Sequence, residues 1–204
     1  MDFNHPTIKK AIQKLSMSSK NLERLLEFRE KKTCAYCGNY LDLESLASGS
    51  AGDFFAKWVY QRLHTFNRSK DTAIRNNAKE GLKHFTSGQT IKELIDLYQF
   101  GNTLATQVIE FMAKIFAAHM VTHYELGKSI LVDREAQVWD KFIIDQGMFR
   151  NEFFNKLVRD SLVNDFGEDF TQIFQIVIDY KEENQSLGAL AVLKEAIRQA
   201  RVKN

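Results

Sequence analysis

Residues 90–127 decide the fold predicted for this chain, and they read TIKELIDLYQFGNTLATQVIEFMAKIFAAHMVTHYELG. The stretch has no proline and one internal glycine, Gly101. Its apolar and small residues recur at steps of three and four, which places them on one face of an α-helix. They are Leu94, Leu97, Gly101, Leu104, Val108, Phe111, Ile115 and Ala118. A second apolar row widens this face until most of the circumference is apolar, and other helices surround a helix of that kind. The sequence therefore predicts one long central helix.

Both ends of this stretch carry helix-boundary signals. Thr90 and Glu93 have the spacing of a capping box, in which the two residues satisfy each other's backbone amides. Gly127 suits the left-handed position that follows many helices. The central helix is therefore predicted to begin after Thr90 and to end at Gly127.

The rest of the chain has a composition typical of helical proteins. Pro6 is the only proline among 204 residues, and the ten glycines lie mostly between periodic runs, whereas sandwiches and barrels need many turns. Segment 170–183 contains β-branched residues, but its apolar spacing favours a helix. We expect an all-α fold, a single bundle of about eight or nine helices around the central hydrophobic helix. A basic helical arm with a cysteine-containing loop (residues 1–52) is expected to pack on a helical bundle (residues 53–204) as one continuous domain.

Charge and cysteine content limit the possible function classes. The net charge is +2, which gives no general reason to expect nucleic acid or an acidic membrane as partner. Two cysteines and an N-terminus without an apolar core argue against a disulfide-stabilised secreted protein. We expect no membrane-spanning segment, because no apolar run is long and uninterrupted enough, and a cytoplasmic location.

Cys34 and Cys37 have the spacing of half a tetrahedral zinc site. His119 and His123 lie four residues apart on the predicted central helix and could supply the other half, giving a structural zinc site. The alternative is that the two pairs are unrelated. The string CAYCGN resembles the opening of HNH-endonuclease zinc modules. The second cysteine pair and the catalytic histidine of those modules are missing here, so the resemblance implies no catalysis.

A basic segment offers a second candidate site. Residues 57–92 carry eight Lys or Arg side chains against two acidic ones, and residues 133–183 carry six against twelve. The basic segment interleaves these cations with aromatic residues, a pattern of nucleic-acid-binding surfaces. The candidate contacts are Arg62, Arg68, Lys70 and Arg75. The alternative, which we prefer, is that the aromatic residues are buried and the cations form a solvated face.

The sequence shows no catalytic motif. It lacks a nucleophile elbow, a phosphate-binding glycine loop and an HExxH pair, so we expect no enzyme activity and no cofactor beyond the possible zinc. By elimination, we expect an adaptor, chaperone or regulatory subunit that acts by protein–protein contacts. Sixteen phenylalanines exceed what one core stripe needs. Phe149, Phe153 and Phe154 are the candidate partner-binding residues. A zinc-stabilised or ligand-sensing bundle and a nucleic-acid-binding protein are the alternatives.

Overall fold

The computed structural model describes residues 4–30, 46–86, 89–132, 142–144, 152–170 and 174–176. Apart from two strands of three residues each, these residues form an all-helical arrangement around one long helix, as predicted. The described part contains seven α-helices, fewer than the eight or nine expected. They are α1 (Pro6–Gln13), α2 (Ser19–Glu30), α3 (Gly49–Phe66), α4 (Thr72–Leu82), α5 (Ile91–Gln99), α6 (Thr103–Val132) and α7 (Glu152–Ser161), and a π-helical turn (Leu162–Phe166) continues α7. The sequence also predicts a last helix, with Leu187, Leu190, Leu193 and Ile197 at helical spacing, and that segment lies outside the described residues.

Two short strands depart from the helical prediction. β1 (Phe142–Ile144) and β2 (Phe174–Ile176) pair in parallel, with Phe142 opposite Phe174. The helix predicted for segment 170–183 is therefore wrong at β2, and β1 likewise departs from the all-α expectation. Each strand is only three residues long and rich in aromatic and β-branched residues, which favour extended backbone. Periodicity cannot distinguish such short apolar runs from helices.

The central helix is α6, and neighbouring helices enclose it. Its buried residues cover most of its circumference: Ala105, Val108, Ile109, Phe111, Met112, Ala113, Ile115, Ala117, Ala118 and Val121 are each at most 2% exposed. The ring of Phe111 meets that of Phe55 on α3 edge-to-face, with centroids 6.1 Å apart. The enclosure predicted from the two apolar rows is therefore confirmed.

The predicted helix over residues 90–127 is interrupted in the structure. Gly101 has a φ of +85°, in the left-handed region that glycine adopts readily. Asn102 then caps α6: its side-chain oxygen accepts hydrogen bonds from the backbone amides of Leu104 (3.1 Å) and Ala105 (3.2 Å). The break makes α5 and α6 two packed helices, and α6 continues beyond Gly127 to Val132.

The basic arm consists of α1 and α2, which are separated at the serine-rich stretch 16–18. The backbone oxygen of Ser16 accepts a hydrogen bond from the Gln107 side chain (3.3 Å), near the start of α6. At the other end of α1, the Thr7 hydroxyl donates to Glu125 (3.2 Å). These two contacts show that α1 runs antiparallel to α6. The predicted boundary between residues 52 and 53 falls inside α3.

Helix α3 begins earlier than its sequence suggests. Asp53 looks like the cap of a helix starting at Phe54, but Ser48 is the actual N-cap and accepts from the amide of Ala51 (3.1 Å). Asp53 instead accepts a hydrogen bond from the backbone amide of Ile91 (2.7 Å), the first residue of α5. This carboxylate therefore ties α3 to α5.

We expect Gly52→Ala to destabilise the bundle at this α3–α5 contact. A Cβ at position 52 would lie 2.3 Å from Cδ1 and 2.8 Å from Cβ of Ile91. Forcing a methyl group into a packed contact of this kind costs about 1–3 kcal/mol of unfolding free energy, which urea denaturation would measure. Gly49→Ala is the matched control, because nothing lies within 4 Å of its added Cβ. Equal stability of the two variants would contradict the close approach.

One described segment, Thr103–Glu125 of α6, is long and apolar enough by length and composition to cross a membrane. The premise that no apolar run is long enough is therefore wrong, whereas the expectation of no membrane-spanning segment stays a prediction. Within this segment, 67% of the 18-residue apolar stretch is buried inside the bundle. The core helix of a helical bundle needs the same apolar composition, so this segment alone does not indicate a membrane.

Candidate functional site

An open groove lies where α7 meets the junction of α5 and α6. Tyr98, Gln99, Thr106 and Phe153 line it, and its volume is about 610 Å³. Phe153 lies near Thr106 at one end of α7, and Asp165 pairs with Lys114 beyond the other end. Helix α7 thus runs in the same direction as α6. No charged side chain of the described residues lines this groove. Its lining therefore suits an apolar or uncharged group.

Two phenylalanines at this end of the molecule are exposed. Phe153 is 50% exposed and Phe100, the residue after Gln99, is 56% exposed. Phe100 caps the end of α5, and its ring lies 4.5 Å from that of His84. We call Tyr98, Phe100 and Phe153 the aromatic surface. Exposed aromatic residues beside a groove are a frequent feature of protein-binding sites.

The structure separates the three phenylalanines that the sequence grouped as partner-binding residues. Phe153 belongs to the aromatic surface. Phe154, its neighbour on α7, is 2% exposed and part of the core, so we leave it out of that surface. Phe149 lies outside the described residues. Phe100 was missed because it sits at the helix break, which the continuous apolar pattern concealed.

His119 and His123 lie side by side on α6, with ring centroids 4.3 Å apart. Burial of the imidazole, followed by the charge of nearby His123, lowers the pKa of His119 to about 4. Its ring is therefore neutral at physiological pH, the form that binds metals. Cys34 and Cys37 lie outside the described residues. Within the described ranges, no group of three or more His, Cys, Asp or Glu side chains is placed to hold a metal ion. The four-ligand zinc site stays a prediction.

The four predicted nucleic-acid contacts do not form one uniform face. The Arg62 guanidinium lies over the Phe66 ring, 4.8 Å from its centroid. Burial and the nearby charge of Arg24 lower the Arg62 pKa. Arg75 is half-buried and donates to the backbone oxygen of Ser69 (3.4 Å), so it folds back on the α3–α4 loop. Arg68 and Lys70, in the same loop, are exposed. The nucleic-acid hypothesis stays a prediction without support from this geometry.

A cluster of three charged side chains was not predicted from the sequence. Asp165, in the π-helical turn, has a side chain that is 2% exposed. One of its carboxylate oxygens lies 3.1 Å from the ammonium of Lys14 on the C-terminal side of α1, and the other lies 2.8 Å from that of Lys114 on α6. One sequence feature could have indicated this cluster: Lys114 lies inside the apolar run of the central helix. The cluster joins three parts of the fold and borders a cleft of about 360 Å³.

No protein-family model, curated protein or solved structure matches this chain. Its class is therefore defined by its own structure: a helical bundle around the central helix α6, with an aromatic surface at one end and a lysine-lined cleft beside the π-helical turn.

Proposed function

We propose that this is a non-enzymatic helical protein that acts by protein–protein contacts, as an adaptor, chaperone or regulatory subunit. The supporting observation is the aromatic surface beside an uncharged groove. Aromatic residues dominate the binding energy of many protein interfaces, because they bury a large area at little cost in conformational entropy. The groove lining favours a partner that inserts an apolar side chain.

The proposal predicts that charge on the aromatic surface removes a specific partner. Phe100→Asp combined with Phe153→Asp would place two carboxylates where the partner's apolar side chain binds, and burying a charge without a counter-ion is costly. We expect the affinity to fall by more than about tenfold, the scale of losing one strong interface residue. The measurement is affinity capture of tagged protein from its host with mass spectrometry, followed by reconstitution with the purified partner.

The matched control places the same charges on exposed apolar residues elsewhere. Ile74 is 45% exposed and Val163 is 37% exposed, and neither lines the groove. Ile74→Asp combined with Val163→Asp should therefore retain the partner. If the wild type, the aromatic-surface variant and the control variant all captured the same proteins, the aromatic surface would be refuted as the binding site. Recovery of monomer alone under all lysis conditions would refute the protein-contact function.

A further inference from the structure

The cleft beside the π-helical turn carries unused hydrogen-bond donors at the end nearest Asp165. We call it the lysine cleft, and Lys14, Ser16, Glu110, Lys114, Ser161 and Asn164 are among its lining residues. Each lysine ammonium has three N–H donors. Lys114 contacts only Asp165 in the described chain, and Lys14 contacts Asp165 and the backbone oxygen of Asn164 (2.9 Å). Asp160 also lines the cleft, and its carboxylate pairs with Lys156 outside the lining (3.3 Å). The two ammonium groups therefore share the single carboxylate of Asp165, and this end of the cleft favours a second anion.

The same cleft carries the opposite charge one helical turn away. Glu110 precedes Lys114 by four residues on α6, so the two side chains lie on one face of the helix. Glu110 nevertheless forms no ion pair with any described Lys or Arg. Its carboxylate accepts a short hydrogen bond from the hydroxyl of Ser16 instead. A carboxylate that holds only a hydroxyl retains lone pairs for an ammonium group.

We propose that the lysine cleft binds a small zwitterion, a molecule with one carboxylate and one ammonium group. The ligand's carboxylate would accept from the remaining N–H donors of Lys14 and Lys114, and its ammonium group would donate to Glu110. The cleft volume of about 360 Å³ suits a small metabolite. Opposite charges at the two ends select against molecules that carry one charge, because each of these leaves a charged group of the cleft without a counter-ion. The proposal uses no residue of the aromatic surface.

Amide NMR spectra of the full chain test this proposal. Glycine, β-alanine and 4-aminobutyrate are the probes, because they vary the separation between the two charges. We expect saturable shifts of the backbone amides of Leu15, Ala113 and Leu157, which line the cleft, with at least one of the three. Acetate and methylammonium, titrated separately, should bind about tenfold more weakly, since each forms only half of the charged contacts. Acetate binding as tightly as the best zwitterion would overturn the proposal, as would no saturable shift with any probe.

Two variants assign the binding to the charged groups. Glu110→Gln removes the negative charge and keeps the shape of the side chain. Lys14→Met removes an ammonium whose side chain is 43% exposed, while Lys114 still pairs with Asp165. Each variant should weaken binding of the zwitterion about tenfold and should keep the amide spectrum of the folded protein. Lys79→Met, on an exposed lysine of α4 that does not line the cleft, is the matched control and should bind the zwitterion as the wild type does. Unchanged affinity in Glu110→Gln would overturn the assignment.

Discussion

Phe111→Ala is expected to lower the free energy of unfolding by about 3–5 kcal/mol, the usual cost of removing a fully buried phenylalanine. Phe111, in the first third of α6, is 0% exposed. Its ring packs edge-to-face on that of Phe55, which is also 0% exposed. Helices on several sides hold the walls of the resulting cavity apart, so collapse into it is limited. Urea denaturation would measure this loss, and the slope of the unfolding free energy against urea concentration should stay unchanged.

A double-mutant cycle separates the ring–ring contact from general burial. Phe55→Ala should lower the free energy of unfolding by a similar amount. The loss in the double variant should be smaller than the sum of the two single losses by about 0.5–1.5 kcal/mol, the coupling energy typical of aromatic pairs. Phe100→Ala is the matched control: its ring is 56% exposed, and it should cost less than about 1 kcal/mol. If Phe111→Ala cost no more than this control, α6 would not be the enclosed helix of the fold.

The features predicted correctly from the sequence depend on residues close together in the chain. The capping box is present: the Thr90 hydroxyl accepts from the amide of Glu93 (3.4 Å), and the Glu93 carboxylate accepts from the amide of Thr90 (2.9 Å). Asp71 caps α4 through the same kind of local contact, and Gly167, with a φ of +116°, ends the turn that follows α7. Such contacts need only the local backbone, so a short sequence pattern specifies them.

The features missed depend on contacts between distant residues. Asp53 has the local sequence of an N-cap but bonds to Ile91, 38 residues later. Nothing near Asp53 indicates where α5 will lie. The break at Gly101 was missed for a related reason: the residue fits the apolar spacing of a continuous helix. Only the packing of α5 against α6 shows that the chain turns there.

The aromatic surface shows how far helical spacing can define a site. Phe153 and Phe154 are adjacent and equally apolar, and both fit the apolar pattern of α7. In the structure Phe154, Val158 and Leu162 are buried at steps of four, which turns Phe153 outward. The sequence predicts that α7 has an apolar face. The packing of α7 against α6 decides which phenylalanine that face includes.

Lys114→Met is expected to lower the free energy of unfolding by about 3 kcal/mol, because it leaves the buried carboxylate of Asp165 with one of its two counter-ions. The Asp165 side chain is 2% exposed and that of Lys114 is 17% exposed. Lys14 remains beside Asp165, which places the loss at the lower end of the range for buried pairs. Thermal and urea unfolding would both measure it. Lys156→Met is the matched control: its pair with Asp160 joins side chains 76% and 48% exposed and should contribute less than about 0.5 kcal/mol.

The origin of this loss can be tested separately from its size. If the cost comes from the buried carboxylate that has lost one counter-ion, replacing Asp165 as well should recover part of that cost, because an apolar pair of similar volume removes the buried charge. Lys114→Met combined with Asp165→Leu should therefore be more stable than Lys114→Met alone. Lys14 tolerates this change because its side chain, 43% exposed, can reach water. A double variant less stable than Lys114→Met would show instead that Asp165 stabilises the π-helical turn through contacts other than its two lysines.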